Sequence, residues 1–168
     1  MNNKPIIIVN GEPYSIFLEI FFKSKKKIIL KKPVILIASK KMLLLQMKKL
    51  GFYFKINLID KDNINLDLLD KKKINLIDVN FKFDKVFKKI SDKSNSYINE
   101  SFKIALKILK EKKCSGLING PISKKHFLKG ESLGITEYLS EKINRKNVAM
   151  VIFNKKLSVS PITTHLAL

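Results

Sequence analysis

Short apolar runs alternate along the chain with stretches whose apolar residues recur every three or four positions. Continuous apolar runs, such as residues 5–9 and 34–38, are typical of strands that are buried on both faces of a sheet. The segments with strand character are residues 5–9, 34–38, 52–59, 74–78, 116–119, 148–153 and 157–164. The segments with helical spacing are residues 14–23, 40–50, 94–113 and 134–144. Strands and helices are therefore expected to follow one another in turn.

Local signals mark the ends of two of these helices. Ser39 precedes the second helical segment and is a predicted N-cap, while Gly51 follows it and is a predicted stop. The third segment is the longest, and one apolar stripe runs along it. The stripe is predicted to consist of Ile98, Phe102, Ala105 and Leu109.

The alternation predicts an α/β fold in which helices cover both faces of a buried sheet, a layered α/β/α arrangement. Ligands of such folds collect at the carboxyl ends of the strands. Asn10, Asn119 and His165 each sit just after an apolar run. We therefore expect these three residues at one edge of the sheet.

The length and composition are those of one ordinary globular domain, with 168 residues of which 45% are hydrophobic. No apolar run reaches the roughly 18 residues that span a bilayer. The N-terminus shows no secretory cleavage pattern, so secretion is not expected. The only cysteine, Cys114, excludes an internal disulfide and is typical of a protein in a reducing cytoplasm.

The formal net charge of +20 raises the question of nucleic-acid binding. Of the 34 basic residues only Arg145 is an arginine, although arginine is the side chain best suited to reading bases and clamping phosphates. The lysines are spread over the whole chain among Ile and Asn. This pattern favours lysines on solvated faces, with no nucleic-acid partner, and the positive field would still attract anionic substrates.

Residues 119–124 combine a tight turn with anion-binding chemistry. Gly120 allows the backbone to approach a ligand closely, and Ser123 and Lys124 supply a hydroxyl and a cation for a phosphate or carboxylate. The loop that follows the first strand carries Glu12, a candidate polar contact. No dinucleotide-binding glycine fingerprint and no phosphate-binding P-loop sequence occurs anywhere in the chain.

The remaining candidates are a threonine and the two histidines. Thr136 opens a helical segment and can either donate a hydrogen bond to a substrate oxygen or serve the helix start. His126 lies among lysines and is predicted to be exposed. His165 stands between hydroxyls and apolar residues near the end of the chain, but one histidine cannot build a metal site, because a catalytic zinc takes three protein ligands.

Four segments in order resemble the 4-hydroxythreonine-4-phosphate dehydrogenase family of vitamin B6 biosynthesis. Residues 6–13 resemble the family's first strand and its Gly-Asp/Glu-Pro loop. Residues 120–124 resemble its Gly-Pro-Ile/Val-x-Lys turn. Residues 134–137 resemble its Gly-His-Thr-Glu segment, and residues 163–168 resemble its Thr-Thr-His segment. The resemblance spans the chain but only about the first half of the family's usual length.

The resemblance implies a two-domain α/β/α fold like that of isocitrate and isopropylmalate dehydrogenases, which forms a homodimer. It implies oxidation of a phosphorylated hydroxy amino acid by NAD or NADP, followed by decarboxylation. A divalent metal (Zn, Mg or Co) would act as the Lewis acid. In this family His165 would be a metal ligand, Thr136 a substrate contact and Lys124 a catalytic polar or acid–base group.

Two departures from the family pattern lie within these segments. Ile135 stands where the family has histidine, and residues 14–17 replace the glycine-rich continuation of the first loop. The family takes its other metal histidines and most cofactor and phosphate contacts from the half that this chain does not match. We therefore expect residues 1–168 to be the N-terminal portion of a two-domain dehydrogenase, truncated and inactive alone.

Two alternative functions remain open at this point. The Ile135 departure favours a related dehydrogenase of a phosphorylated sugar acid, such as a phospho-threonate or phospho-erythronate. The net charge favours a non-catalytic basic binding protein, whose affinity for nucleic acid would fall steeply with salt.

Overall fold

Five parallel strands form one sheet in the computed structural model, which describes residues 4–27, 32–145 and 147–162. The strands are β1 (Ile6–Val9), β2 (Val34–Ala38), β3 (Ile56–Leu58), β4 (Ile74–Asp78) and β5 (Gly116–Asn119). Their order across the sheet is β3-β4-β2-β1-β5, so β1 lies between β2 and β5. The chain divides into two compact units, Met1–Ile122 and Ser123–Leu168, and the sheet belongs to the first.

Four α-helices accompany the strands within the described ranges of the chain. They are α1 (Phe17–Lys27), α2 (Lys40–Lys49), α3 (Asn95–Lys110) and α4 (Ile135–Lys142). The first three belong to the first unit and α4 to the second. Within the described part of the chain, no helix is long and apolar enough to cross a membrane.

One face of the sheet packs against α1 and α2. Leu18 and Phe22 of α1 and Leu43 and Met47 of α2 form one buried cluster with alternate residues of the strands, such as Leu36. Side chains of a strand point alternately to the two faces, so the intervening residues face the other way. The cluster is therefore the hydrophobic layer beneath one pair of helices.

The opposite face packs against α3, which contacts β1, β2 and β5. Ile7 and Ile35 lie on this face and are fully buried. Helices thus cover both faces, and the predicted α/β/α layering is confirmed. The predicted stripe on α3 is wrong at its last position, because Ile108 is buried and Leu109 is only half-buried.

The N-terminal end of α1 lies three residues later than predicted. The backbone N–H of Tyr14 donates to the Glu12 carboxylate and that of Ser15 donates to the Glu12 carbonyl. Ser15 Oγ then accepts from the N–H of Phe17, where the helix begins. A turn closed by Glu12 therefore takes the residues that periodicity alone assigns to the helix.

The predicted end signals of α2 are confirmed. Ser39 Oγ accepts from the N–H of Met42, which satisfies one of the unpaired donors of the first turn. Gly51 has φ +71°, the left-handed conformation in which glycine commonly ends a helix. Beyond it β3 is shorter than predicted, since it begins at Ile56, and the rings of Phe52 and Phe54 before it pack against Phe22.

In the second unit the predicted strands at residues 148–153 and 157–164 are reduced to one antiparallel bridge, between Ile152 and Val159. A segment of strand character becomes a regular strand only where a neighbour supplies a continuous hydrogen-bond ladder. Residues 163–168, the end of the second predicted strand, lie outside the described residues.

The register of α3 can be tested by shortening two adjacent side chains. Ile108→Ala removes a fully buried side chain, and we expect the free energy of unfolding to fall by about 2–5 kcal/mol. Leu109→Ala is the matched control and should cost clearly less, because that side chain is half-buried. Urea unfolding measures the free energy that each variant loses, and equal losses would contradict the register of α3.

Candidate functional site

Two loops meet at the carboxyl edge of the sheet. Asn10 directly follows β1, and Asn119 is the last residue of β5, paired in register with Val9. The prediction that Asn10 and Asn119 share this edge is therefore confirmed. His165, the third residue expected there, lies outside the described residues.

Glycines hold the two loops in direct backbone contact. A Cβ atom on Gly120 would stand 2.0 Å from the carbonyl oxygen of Asn10, and one on Gly11 would stand 2.4 Å from that of Pro121. Gly11 also has φ +71°, a conformation that side chains disfavour. The N–H of Glu12 donates to the Pro121 carbonyl at 2.8 Å. The two loops are therefore fixed against one another without any intervening side chain.

The Glu12 carboxylate faces the interior and is only 1% exposed. Its Oε2 accepts from the Ser94 hydroxyl at 2.7 Å, and its Oε1 accepts from the N–H of Tyr14 at 3.2 Å. A buried carboxylate needs such donors to offset its lost hydration. Glu12 therefore ties the first loop to the residues that precede α3, a structural role that differs from the polar ligand contact considered from sequence.

A polar cluster behind this loop joins three elements. The Tyr97 hydroxyl of α3 lies 3.4 Å from Nδ2 of Asn10 and accepts from the N–H of Ser39 at 3.2 Å. Burial raises the pKa of Tyr97 to about 12, so this hydroxyl is neutral at physiological pH. Asn10 is 1% exposed, and its Oδ1 has no hydrogen-bond partner among the described residues. A rotation of the Asn10 amide that exchanges Oδ1 and Nδ2 would instead leave Nδ2 without a hydrogen-bond partner at that place.

A cavity of about 360 Å³ opens beside this cluster, at the carboxyl end of β4. It is lined by Lys61, Asp78, Val79, Asn80, Ser96, Tyr97, Glu100 and Ile104. Asp78 Oδ1 accepts from the N–H of Lys40 at 2.7 Å, in the first turn of α2. The neighbours β2 and β4 lead into helices on opposite faces, which makes this place a topological switch point.

Sequence reasoning did not single out Ser39, Asp78 or Tyr97 as residues of one cluster. The sequence gave only a weak signal for two of them. Ser39 follows an apolar run and Asp78 ends one, so both obey the rule that grouped Asn10 with Asn119. Tyr97 gave no signal, because it reaches the edge from the helix on the opposite face.

The second unit carries Lys124 and Thr136. Ser123 caps a short π-helical turn, Lys124–Leu128, by accepting from the N–H of His126 at 3.1 Å, and Lys124 is exposed. Thr136 is the second residue of α4 and is half-buried. His126 is half-buried, so its predicted exposure is wrong.

An aromatic contact joins these two elements of the second unit. The rings of Phe127 and Tyr138 meet edge to face with centroids 5.1 Å apart, and Tyr138 is buried. Burial raises the pKa of Tyr138 to about 12. The turn that carries Lys124 and the helix that carries Thr136 are thus held together by side-chain packing.

Imidazole, thiolate and carboxylate side chains are the groups that could hold a divalent metal ion. In the described part of the chain, no group of three or more His, Cys, Asp or Glu side chains is arranged to hold a metal ion. Catalytic metal sites usually need three protein ligands. The described residues therefore do not form a complete metal site.

A family model described as "Pyridoxal phosphate biosynthetic protein PdxA" matches residues 30–168. A 4-hydroxythreonine-4-phosphate dehydrogenase of Sulfurihydrogenibium sp. is 38% identical over 97 residues, which are 56% of this chain and 29% of that protein. A "Putative D-threonate 4-phosphate dehydrogenase" of Oceanobacillus iheyensis is 29% identical over this whole chain and 52% of its own length.

Solved structures share the fold. A 4-hydroxythreonine-4-phosphate dehydrogenase from Burkholderia phymatum matches 98% of this chain and 51% of its own with a TM-score of 0.82 and 22% identity. The enzyme of the same name from Klebsiella pneumoniae matches 98% and 52% with a TM-score of 0.81 and 23% identity. The chain thus spans about half the length of these proteins, and at such identity the likeness establishes the fold alone.

The backbone contact at Gly120 predicts that an alanine substitution lowers the unfolding free energy more at Gly120 than at another glycine of the same segment. Gly120→Ala forces a methyl group into the Asn10 carbonyl, and we expect a loss of about 1–3 kcal/mol in unfolding free energy. Gly116→Ala is the matched control, because a Cβ there meets nothing within 4 Å. Thermal or urea unfolding measures both, and an equally stable Gly120→Ala variant would rule out the close contact.

The Glu12 anchor can be tested at Ser94. Ser94→Ala leaves one oxygen of a buried carboxylate without its hydroxyl donor, and we expect a loss of about 1–3 kcal/mol. Ser96→Ala, two residues away on the exposed side of α3, should change stability by less than about 0.5 kcal/mol. If the two variants unfold at the same urea concentration, the hydrogen bond from Ser94 to Glu12 does not stabilise the protein as proposed.

Proposed function

The chain belongs to the PdxA family, and on this premise we propose that it supplies one half of the active site of an NAD(P)-dependent 4-hydroxythreonine-4-phosphate dehydrogenase. The observation that carries the proposal is the family match over residues 30–168, which includes both segments that bear the candidate residues. Family membership also favours an enzyme over a non-catalytic basic binding protein. We further propose that the complete enzyme is a cytoplasmic homodimer.

Lys124 is proposed to bind the anionic part of the substrate. Its ammonium group is exposed, and it follows Ser123, whose side chain fixes the turn by capping it. The exposed position suits a flexible cation that contacts a phosphate or carboxylate. The net charge of +20 raises the local concentration of such a substrate.

Thr136 is proposed to contact the substrate from the first turn of α4. Gly134 precedes this helix in an extended conformation. Because glycine has no side chain, no cap from that position covers the first backbone N–H groups of α4. A threonine hydroxyl there can donate to a substrate oxygen while the positive end of the helix dipole favours anionic groups nearby.

The proposed reaction needs a nicotinamide cofactor and a divalent metal. NAD or NADP would accept the hydride, and Zn, Mg or Co would polarise the substrate hydroxyl. His165 is the proposed metal ligand of this chain and lies outside the described residues. The described residues bind and orient the substrate in this proposal, and further metal ligands and the cofactor contacts come from outside them.

A second candidate is oxidation of a phosphorylated sugar acid such as D-threonate 4-phosphate. Ile135 favours it, because an alkyl side chain at the first position of α4 offers no hydrogen bond where the resemblance expects histidine. The Oceanobacillus iheyensis relative, which carries that substrate in its name, aligns with the whole of this chain. The two candidates share the reaction and differ in one substrate group.

The proposal is tested by joining this chain to the part of the Oceanobacillus iheyensis relative that it does not match. We expect the joined protein, given NAD, a divalent metal and either substrate, to form NADH, and the chain alone to form none. Lys124→Ala should lower kcat/KM roughly ten- to a hundredfold, because a charged hydrogen bond is lost. Lys125→Ala, the exposed neighbour, is the control and should leave kcat/KM unchanged.

The same assay separates the two substrates. A higher kcat/KM for 4-hydroxythreonine 4-phosphate supports the first candidate, and a higher value for D-threonate 4-phosphate supports the second. No NADH from either substrate, although the joined protein is folded, would contradict the proposed function.

A further inference from the structure

A second cavity, of about 130 Å³, opens at the amino edge of the sheet in the first unit. Its walls include Val34 and Ile74, which are the first residues of β2 and β4, and Phe21 of α1. The loops of the candidate site follow the strands at their carboxyl ends, so this cavity lies at the opposite edge. The proposed function uses none of the residues that line it.

The inner wall of the cavity is apolar and belongs to the hydrophobic layer beneath α1 and α2. Ile8, Leu36 and Ile74 are buried members of that layer, and Phe21 and Val34 pack against it. A dry apolar cavity of about 150 Å³ holds a benzene molecule. The cavity is therefore of a size to take one aromatic ring or a short alkyl chain.

The mouth of the cavity is basic. Four lysines line it together with one carboxylate, Asp70, and the Nζ of Lys73 lies 3.3 Å from Oδ2 of that carboxylate. Within the described ranges of the chain, Lys25, Lys32 and Lys71 form no ion pair. The mouth thus carries an excess of positive charge that a bound anion would neutralise.

Lys25 is half-buried, which sets it apart from lysines on the solvated faces. It follows Phe21 by four residues on α1, so the two side chains lie on the same face of the helix, and both line the cavity. Its Nζ donates to the Lys71 carbonyl at 3.2 Å. Burial lowers the pKa of Lys25, because desolvation disfavours the charged ammonium group. An anion at the mouth would offset that cost by favouring the charged form.

The buried side chain of Asn75 holds the mouth in place. Its Oδ1 accepts from the N–H of Asp70 at 2.9 Å, and its Nδ2 donates to the carbonyls of Asp70 and Val34, each at 3.0 Å. These bonds join the turn before β4, which carries Lys71 and Lys73, to the start of β2. The backbone of the mouth is therefore fixed before a ligand arrives, and less ordering is needed on binding.

We propose that this cavity binds a small organic acid, whose apolar part packs against Ile8, Leu36 and Ile74 and whose carboxylate contacts the ammonium group of Lys25. The apolar part is an aromatic ring or a chain of about six carbons, given the volume available. A neutral molecule of the same size would lack the contact with the lysine. The proposal does not depend on the proposed activity.

The proposal is tested with phenylacetate and 2-phenylethanol, which share a ring and differ in charge. An NMR titration of the 168-residue chain, followed at the methyl groups of Val34 and Ile74, measures both dissociation constants. We expect phenylacetate to bind at least about tenfold more tightly, because its carboxylate adds a charged hydrogen bond. Lys25→Met keeps an apolar side chain of similar length, and it should remove this advantage by weakening the binding of phenylacetate alone.

Lys26→Met is the matched control, because Lys26 is exposed on α1 and does not line the cavity. It should leave both dissociation constants unchanged. Ser24→Leu places an alkyl group at the mouth and should weaken both probes, and circular dichroism should show all three variants folded.

Three results would overturn the proposal. The first is the absence of saturable shifts at Val34 and Ile74 with phenylacetate. The second is equal binding of the acid and the alcohol, because the lysine would then make no contact. The third is an equal loss of phenylacetate binding in Lys25→Met and Lys26→Met, because the general positive field of the chain would then attract the anion.

Discussion

The contact between the backbone of Gly120 and the carbonyl of Asn10 is the constraint on which the candidate site depends. It sets the ends of β1 and β5 closer together than any side chain permits. The first loop is thereby held on one side by Pro121 and on the other by the hydrogen bonds of Glu12. A site at the carboxyl edge of a sheet needs fixed loops, because binding geometry is lost when supporting groups move by as little as 1 Å.

Much of the first unit could be predicted from the sequence, because β1, β2 and β4 are largely buried on both faces and carry apolar runs. β2, β4 and β5 have the predicted bounds. The errors arise where a specific side-chain contact competes with periodicity. The Glu12 carboxylate accepts a hydrogen bond from the N–H of Tyr14 and stabilises a turn there, so α1 begins later than periodicity predicts. The buried face of α3 is centred on Ser101, Ala105 and Ile108, so Leu109 lies on its margin.

The candidate site could be predicted only in part. Strand ends located Asn10 and Asn119 at one edge of the sheet. The roles of Lys124 and Thr136, which lie in the second unit, stay predictions. The Tyr97 cluster could not be predicted, because it depends on which face of the sheet α3 crosses and on the order of the strands. The two bridged segments of the second unit had clear strand character, but the length of a strand is set by its partners, which local sequence does not specify.

The position of β5 at one end of the described sheet affects how copies of this chain behave at high concentration. A terminal strand presents unpaired N–H and C=O groups to which the edge strand of another molecule can add. Ile118 adds an exposed apolar side chain to that strand. The dispersed lysines oppose such pairing, because two molecules that each carry +20 repel one another. Salt screens this repulsion over about 8–10 Å at physiological ionic strength, so colloidal solubility of the chain depends on the ions around it.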